Sequence, residues 1–158
     1  METLHYSIDI AAPLDVVWKT MLDDATYREW TGVFHEGSYF VGDWSEGSEI
    51  RFLGPNDSDE NGSPADGSEG GMIGRIAENR RHEFVSIEYT GFVNSGTDDF
   101  DSEFARKVAG AHENYSFSET DGVTTVAVDI ESIDEFREMF EESWPPALAR
   151  LREIAERA

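Results

Sequence analysis

Glu88 and His112 are the two side chains whose types and settings best suit proton transfer. Glu88 stands mid-strand between Ile87 and Tyr89, where burial would raise its pKa and suit general-base work. Alternation, however, sets it opposite Val85, Ile87 and Tyr89, on the solvated face. His112 adjoins Glu113, and strand neighbours point to opposite faces, which spoils joint ligation. The four histidines, His5, His35, His82 and His112, share no i, i+3 or i, i+4 spacing, and the carboxylates are numerous enough to pair by chance. No metal site is expected from such a pattern. The absence of cysteine excludes disulfides, thiolate zinc sites and cysteine nucleophiles. The serines lack a GxSxG elbow, and neither GxGxxG nor a P-loop occurs. No catalytic residue and no cofactor is assigned on this basis, and binding is preferred to catalysis.

Aromatic residues offer a different chemistry. Trp30, Phe34, Tyr39, Phe40, Trp44, Tyr89, Tyr115, Phe117, Phe140 and Trp144 either fill a core or line an apolar pocket with a few polar tips. Singly, each reads better as core. As a set, Trp30, Phe34, Tyr39, Trp44, Tyr89, Tyr115, Phe117, Phe140 and Trp144 are the candidate ligand-binding residues. Tyr89, Tyr115 and Trp144 lead, because each joins an apolar body to a hydrogen-bonding tip and is expected to face inward.

The elements that must position these side chains follow from periodicity. His5 to Ala11 alternates as a half-buried strand. Pro13 opens a helix with Leu14, Val17, Trp18, Met21 and Leu22 on one face, and Asp23 or Asp24 caps a second short helix, Ala25 to Thr31. Ser38 to Val41, Ser48 to Leu53, Met72 to Glu78, Glu83 to Thr90, Glu113 to Ser118 and Val123 to Glu131 read as strands, the last two joined at Asp121-Gly122. Ser132 to Ala158 places Ile133, Phe136, Phe140, Trp144, Leu148, Leu151 and Ile154 along one helical stripe. Ser132 and Glu135 have capping-box spacing, and Pro145-Pro146 predict a kink or a restart from Ser143. Gly54 to Gly71 is acidic and lacks large apolar residues, so it reads as a mobile loop inside one domain spanning 1–158. Gly91 to Gly110, with a helix-like piece at Asp101 to Ala109, is longer than a plain connection and is a candidate lid.

Composition limits the partners. The chain has 158 residues with 34 acidic and 12 basic side chains, a net charge of −22. Without a Lys/Arg cluster, neither nucleic acid nor anionic lipid is an expected partner. Only Lys19 and Lys107 are lysines, and the carboxylates are spread over every segment, which favours adaptation to high salt over an acidic interaction tail. The N-terminus lacks a signal pattern, and no run of about 20 apolar residues could span a bilayer, so a soluble cytoplasmic protein is expected.

Three stretches, in this order, carry a resemblance. They are AAPLDVVWKTMLDDATYREWTG with Pro13, Val17, Trp18 and Trp30; FVGDWSEGSEIRF, Phe40 to Phe52; and FEESWPPALARLREIAE with Trp144, Pro145, Leu148 and Leu151. Together they resemble the START-like, Bet v 1-like (SRPBCC) superfamily, in its branch named after the activator of Hsp90 ATPase homologue 1. The resemblance implies an α+β helix-grip fold, a curved antiparallel sheet of about seven strands around a long C-terminal helix, with two short helices after the first strand. It also implies a cavity between sheet and helix for a small apolar or amphipathic ligand. The alternatives it leaves are a cyclase or hydrolase using that cavity and a co-chaperone of an Hsp90-type ATPase. The long segments at 54–71 and 91–110 depart from the pattern.

Overall fold

The structure, a computed structural model, describes residues 1–55 and 69–158. The chain runs β1 (Glu2–Ile10), α1 (Leu14–Leu22), α2 (Asp24–Thr31), β2 (Tyr39–Gly42), β3 (Glu49–Pro55), β4 (Glu69–Arg80), β5 (Phe84–Asn94), β6 (Thr97–Asp99), α3 (Glu103–Val108), β7 (His112–Thr120), β8 (Val123–Ser132) and α4 (Asp134–Arg157). The ends of the expected Gly54–Gly71 loop belong to β3 and β4, and its middle, 56–68, lies outside the described residues.

The strands form one antiparallel sheet in the order β1-β8-β7-β5-β4-β3-β2, with β6 added beside β5. Among the described residues it has eight strands, the seven-strand path expected and β6 beside it. The additional one arises because β5 extends to Asn94 and turns through Ser95 and Gly96, both at positive φ, into β6. Asp121 and Gly122 adopt φ of 53° and 81°, the backbone that a two-residue hairpin needs, and join β7 to β8. Two register irregularities, between Ile73 and Gly74 and between Ile76 and Glu78, interrupt the β4–β5 ladder. Bulges of this kind bend a strand and increase its twist, which curves the sheet toward α4.

β8 shows why one face is covered: Thr124, Val126, Val128, Ile130 and Ser132 are buried in strict alternation. α4 packs against β1, α1 and α2. From Trp144 onward it buries Trp144, Ala147, Leu148, Leu151, Ile154 and Ala155, whereas Phe136 and Phe140 nearer its start are only half-buried.

Two expectations for α4 are corrected. The N-cap is Ile133, not Ser132, and no side chain caps the helix. Ser132 remains paired to Glu2 in the sheet with its hydroxyl donating to the Ile133 carbonyl, while Glu135 meets Lys107 Nζ at 3.3 Å. The helix also continues through Pro145 and Pro146 without restarting at Ser143. Glu141, Glu142 and both prolines are exposed, so the two carbonyls deprived of an amide partner lie on the solvent side of the helix.

Candidate functional site

Beside the half-buried Phe136 and Phe140 of α4, a pocket of about 500 Å3 opens between helix and sheet. Its volume falls in the range of roughly 300–1,000 Å3 usual for small-molecule sites. α2 supplies Tyr27 and Trp30, β3 supplies Phe52, β5 supplies Tyr89 and Phe92, β7 supplies Glu113 and Tyr115, and α4 supplies Phe136, Phe140 and Trp144. Phe104 of α3 also reaches the lining, stacking on Phe92 with ring centroids 4.9 Å apart and meeting Phe136 edge-on at 5.3 Å. The 91–110 segment thus forms part of the wall.

Six of the nine candidate residues come together there: Trp30, Phe34, Tyr89, Tyr115, Phe140 and Trp144. Three do not line the pocket. Tyr39 sits on β2 with the Arg28 guanidinium 5.2 Å from its ring centre. Trp44 donates from Nε1 to the Leu22 carbonyl at 3.0 Å and packs on Phe40 and Phe52, behind the pocket. Phe117 faces inward as alternation requires, but four residues farther along β7 than Glu113, where its partner is Trp18 at 5.0 Å.

Glu113 is the polar centre, and it was not among the sequence candidates. Its side chain is 6% exposed, on the same face of β7 as Tyr115. Tyr89 Oη donates to Glu113 Oε1 at 3.0 Å, and Tyr115 Oη donates to Oε2. Burial pushes the Glu113 carboxyl above its ordinary range, and the two tyrosine hydrogen bonds oppose part of that rise. Tyr89 and Tyr115 are both raised well above the usual phenol range, first by burial and then by the Glu113 charge. Trp144 adds a buried indole Nε1–H with no partner among the described residues. The signal for Glu113 was its place two residues before Tyr115, since period two carries an inward face back to it.

Glu88 and His112 lie on the other face of the sheet. His112 Nδ1 is 3.0 Å from Glu131 and its Nε2 is 3.7 Å from Glu88, which in turn meets Arg75 at 3.4 Å. These are partly exposed polar contacts of a solvated surface. Among the described residues no group of three or more His, Cys, Asp or Glu is placed to hold a metal ion. No helix among them is long and apolar enough to cross a membrane.

A pH effect follows from the buried carboxyl. Glu113 keeps its proton to a higher pH in the folded state than its ordinary value of 4.5 allows in the unfolded chain. Between those two pKa values the folded state binds more protons, so its stability contribution falls as pH rises through the window and is level above it. The unfolding free energy of the wild type minus that of Glu113→Gln is therefore expected to decline from about pH 4 upward, other carboxylates cancelling in the difference. Urea titrations of both proteins at one KCl concentration measure it. A difference that stays flat or rises would refute the raised carboxyl.

No family model matches this sequence, and none of the curated proteins resembles it in sequence. Solved structures do resemble it in fold. The Aha1 dimer from Colwellia psychrerythraea superposes with a TM-score of 0.65 at 14% identity, over 99% of this chain and 97% of that one. An AHSA1-like protein from Aeromonas hydrophila gives 0.65 at 13% identity, over 97% of this chain and 92% of that one. DynU16, from the dynemicin biosynthetic locus, gives 0.66 at 12% identity over 99% of this chain, which spans only 48% of DynU16. The architecture is thus the helix-grip fold that the three sequence stretches imply, with AHSA1-like proteins among its structural neighbours.

Proposed function

We propose that this protein binds a small apolar or amphipathic molecule in the pocket between the sheet and α4. The observation that carries the reading is a buried carboxyl, Glu113, hydrogen-bonded by Tyr89 and Tyr115 in a lining that is otherwise mainly aromatic. An apolar wall with a few convergent polar groups binds a ligand body by burial and orients it by hydrogen bonds. The surface charge of −22 fits a protein that works in concentrated salt, where its carboxylates stay hydrated and their repulsion is screened.

The test is mass spectrometry of the protein purified in multimolar KCl, intact under native conditions and again after solvent extraction. A stoichiometric small molecule is expected. Protein that remains empty even after exposure to a host lipid extract would overturn the carrier reading.

A second reading, an enzyme of the cyclase or hydrolase kind, draws on the same carboxyl. A buried Glu whose pKa is raised above its ordinary range can give or take a proton, provided its target lies within hydrogen-bond reach. Chemical change of the bound molecule on incubation, lost in Glu113→Gln, would put this reading first. A molecule recovered unchanged would leave binding alone.

A further inference from the structure

We propose that the ligand carries a positively charged nitrogen head, an ammonium group on an apolar body, and that Glu113 and the rings around it form its seat. The proposal deepens the binding reading above and rests on it.

The argument begins with charge. Glu113 accepts one tyrosine hydroxyl on each carboxylate oxygen, the arrangement that suits the ionised form because both oxygens act as acceptors. About two of its four lone-pair sites remain for a ligand. No Lys or Arg lines the pocket, and no ion pair reaches Glu113 among the described residues. The 56–68 stretch holds acidic residues and no Lys or Arg, so it brings no fixed positive charge either. Among the described residues His35 is the single basic side chain in the lining, and its Nε2 bonds the Pro55 carbonyl. A buried carboxylate without a partner cation is costly, and a cation supplied by the ligand removes that cost.

The rings point the same way. Tyr27, Trp30, Phe52, Tyr89, Tyr115 and Trp144 line the pocket with Glu113. Trp144 lies 6.0 Å from Trp30 and 6.1 Å from Tyr115, and Phe52 lies 6.3 Å from Tyr89, centroid to centroid. Aromatic faces attract cations, most strongly where water is excluded, and boxes of such rings hold quaternary ammonium groups. The net charge of −22 also raises the local concentration of cations over anions around the protein.

The experiment compares three probes of one chain length, decyltrimethylammonium, decanol and decanoate, by quenching of tryptophan fluorescence at a fixed KCl concentration. Trp30 and Trp144, which line the pocket, are the reporters. The ammonium probe is expected to bind at least about tenfold more tightly than decanol, with decanoate weakest. In Glu113→Gln the ammonium preference shrinks at least severalfold while decanol binding holds. Decanol or decanoate binding as tightly as the ammonium probe in the wild type would overturn the charged head and leave the binding reading standing. Failure of all three would overturn both. The wild-type ranking keeps the proposal open to refutation even if the variant does not fold.

Discussion

Replacing Trp144 with alanine is expected to lower the unfolding free energy by about 3 kcal/mol, the low end of the range for truncating a buried tryptophan. The side chain is 2% exposed and held by rings on several sides: Tyr6 at 6.3 Å, Trp30 at 6.0 Å, Phe34 at 5.0 Å and Tyr115 at 6.1 Å. Removing it joins a new void to the existing pocket, and surrounding rings cannot collapse across both. Two features keep the loss from the top of the range. One side of Trp144 already borders open space, and its Nε1–H has no partner among the described residues, so truncation also relieves an unsatisfied donor worth about 1 kcal/mol or more. Trp144→Phe, which keeps a ring and discards the N–H, should stay within about 1.5 kcal/mol of wild type. Urea unfolding at one KCl concentration reads both. A near-neutral alanine variant would show that Trp144 serves as pocket wall without supporting the core.

The second large effect belongs to Gly71, on β4 in the pocket lining. Its φ is +153°, and it pairs with Leu53 on β3. A Cβ there would press into the Phe52 carbonyl oxygen and stand 2.9 Å from Leu53 Cα, both of them backbone atoms that no rotamer change can move. Gly71→Ala is therefore expected to cost about 3 kcal/mol, combining backbone strain with overpacking. Gly47 is the control: at φ +89° it shares the unfavourable backbone, yet a Cβ meets nothing within 4 Å. Gly47→Ala should cost only about 1–2 kcal/mol, the conformational penalty alone. Equal losses in the two variants would mean that β3 and β4 can part freely at Gly71. Because Phe52 and Met72 line the pocket beside it, Gly71→Ala should also weaken ligand binding.

These predictions rest on features of very different visibility in the sequence. Strand alternation in Val123–Glu131, the Asp121-Gly122 turn and the helical stripe from Ile133 to Ile154 are local, and period alone reveals them. The inward aspect of Tyr89 and Tyr115 is equally local. Their convergence is not, because it depends on the register of β5 and β7, which pairs Val85 with Tyr115 and Ile87 with Glu113. Glu113 was hidden for another reason: among 34 acidic residues, one more carboxylate in a strand gives no contrast. Its inward position could be had by counting back from Tyr115, but nothing in the sequence says that two phenols would meet it. Pro145-Pro146 left two outcomes open, a kink or a restart. The helix does not restart, because Trp144, Ala147 and Leu148 on either side of the prolines pack into the core.

The pairing of β1 with β8 joins Glu2 to Ser132, and α4 then packs against β1. Contacts between the two ends of the described chain give the fold a high contact order, and such closures come late because loop entropy must be overcome before they are rewarded. During synthesis, β2 to β5 can pair as hairpins while the rings of Trp30, Phe52, Tyr89 and Tyr115 still lack the helix that covers them. A nascent chain in this state exposes an aromatic face to its neighbours, and the dense negative charge then acts as a guard against self-association before the molecule has a pocket to protect.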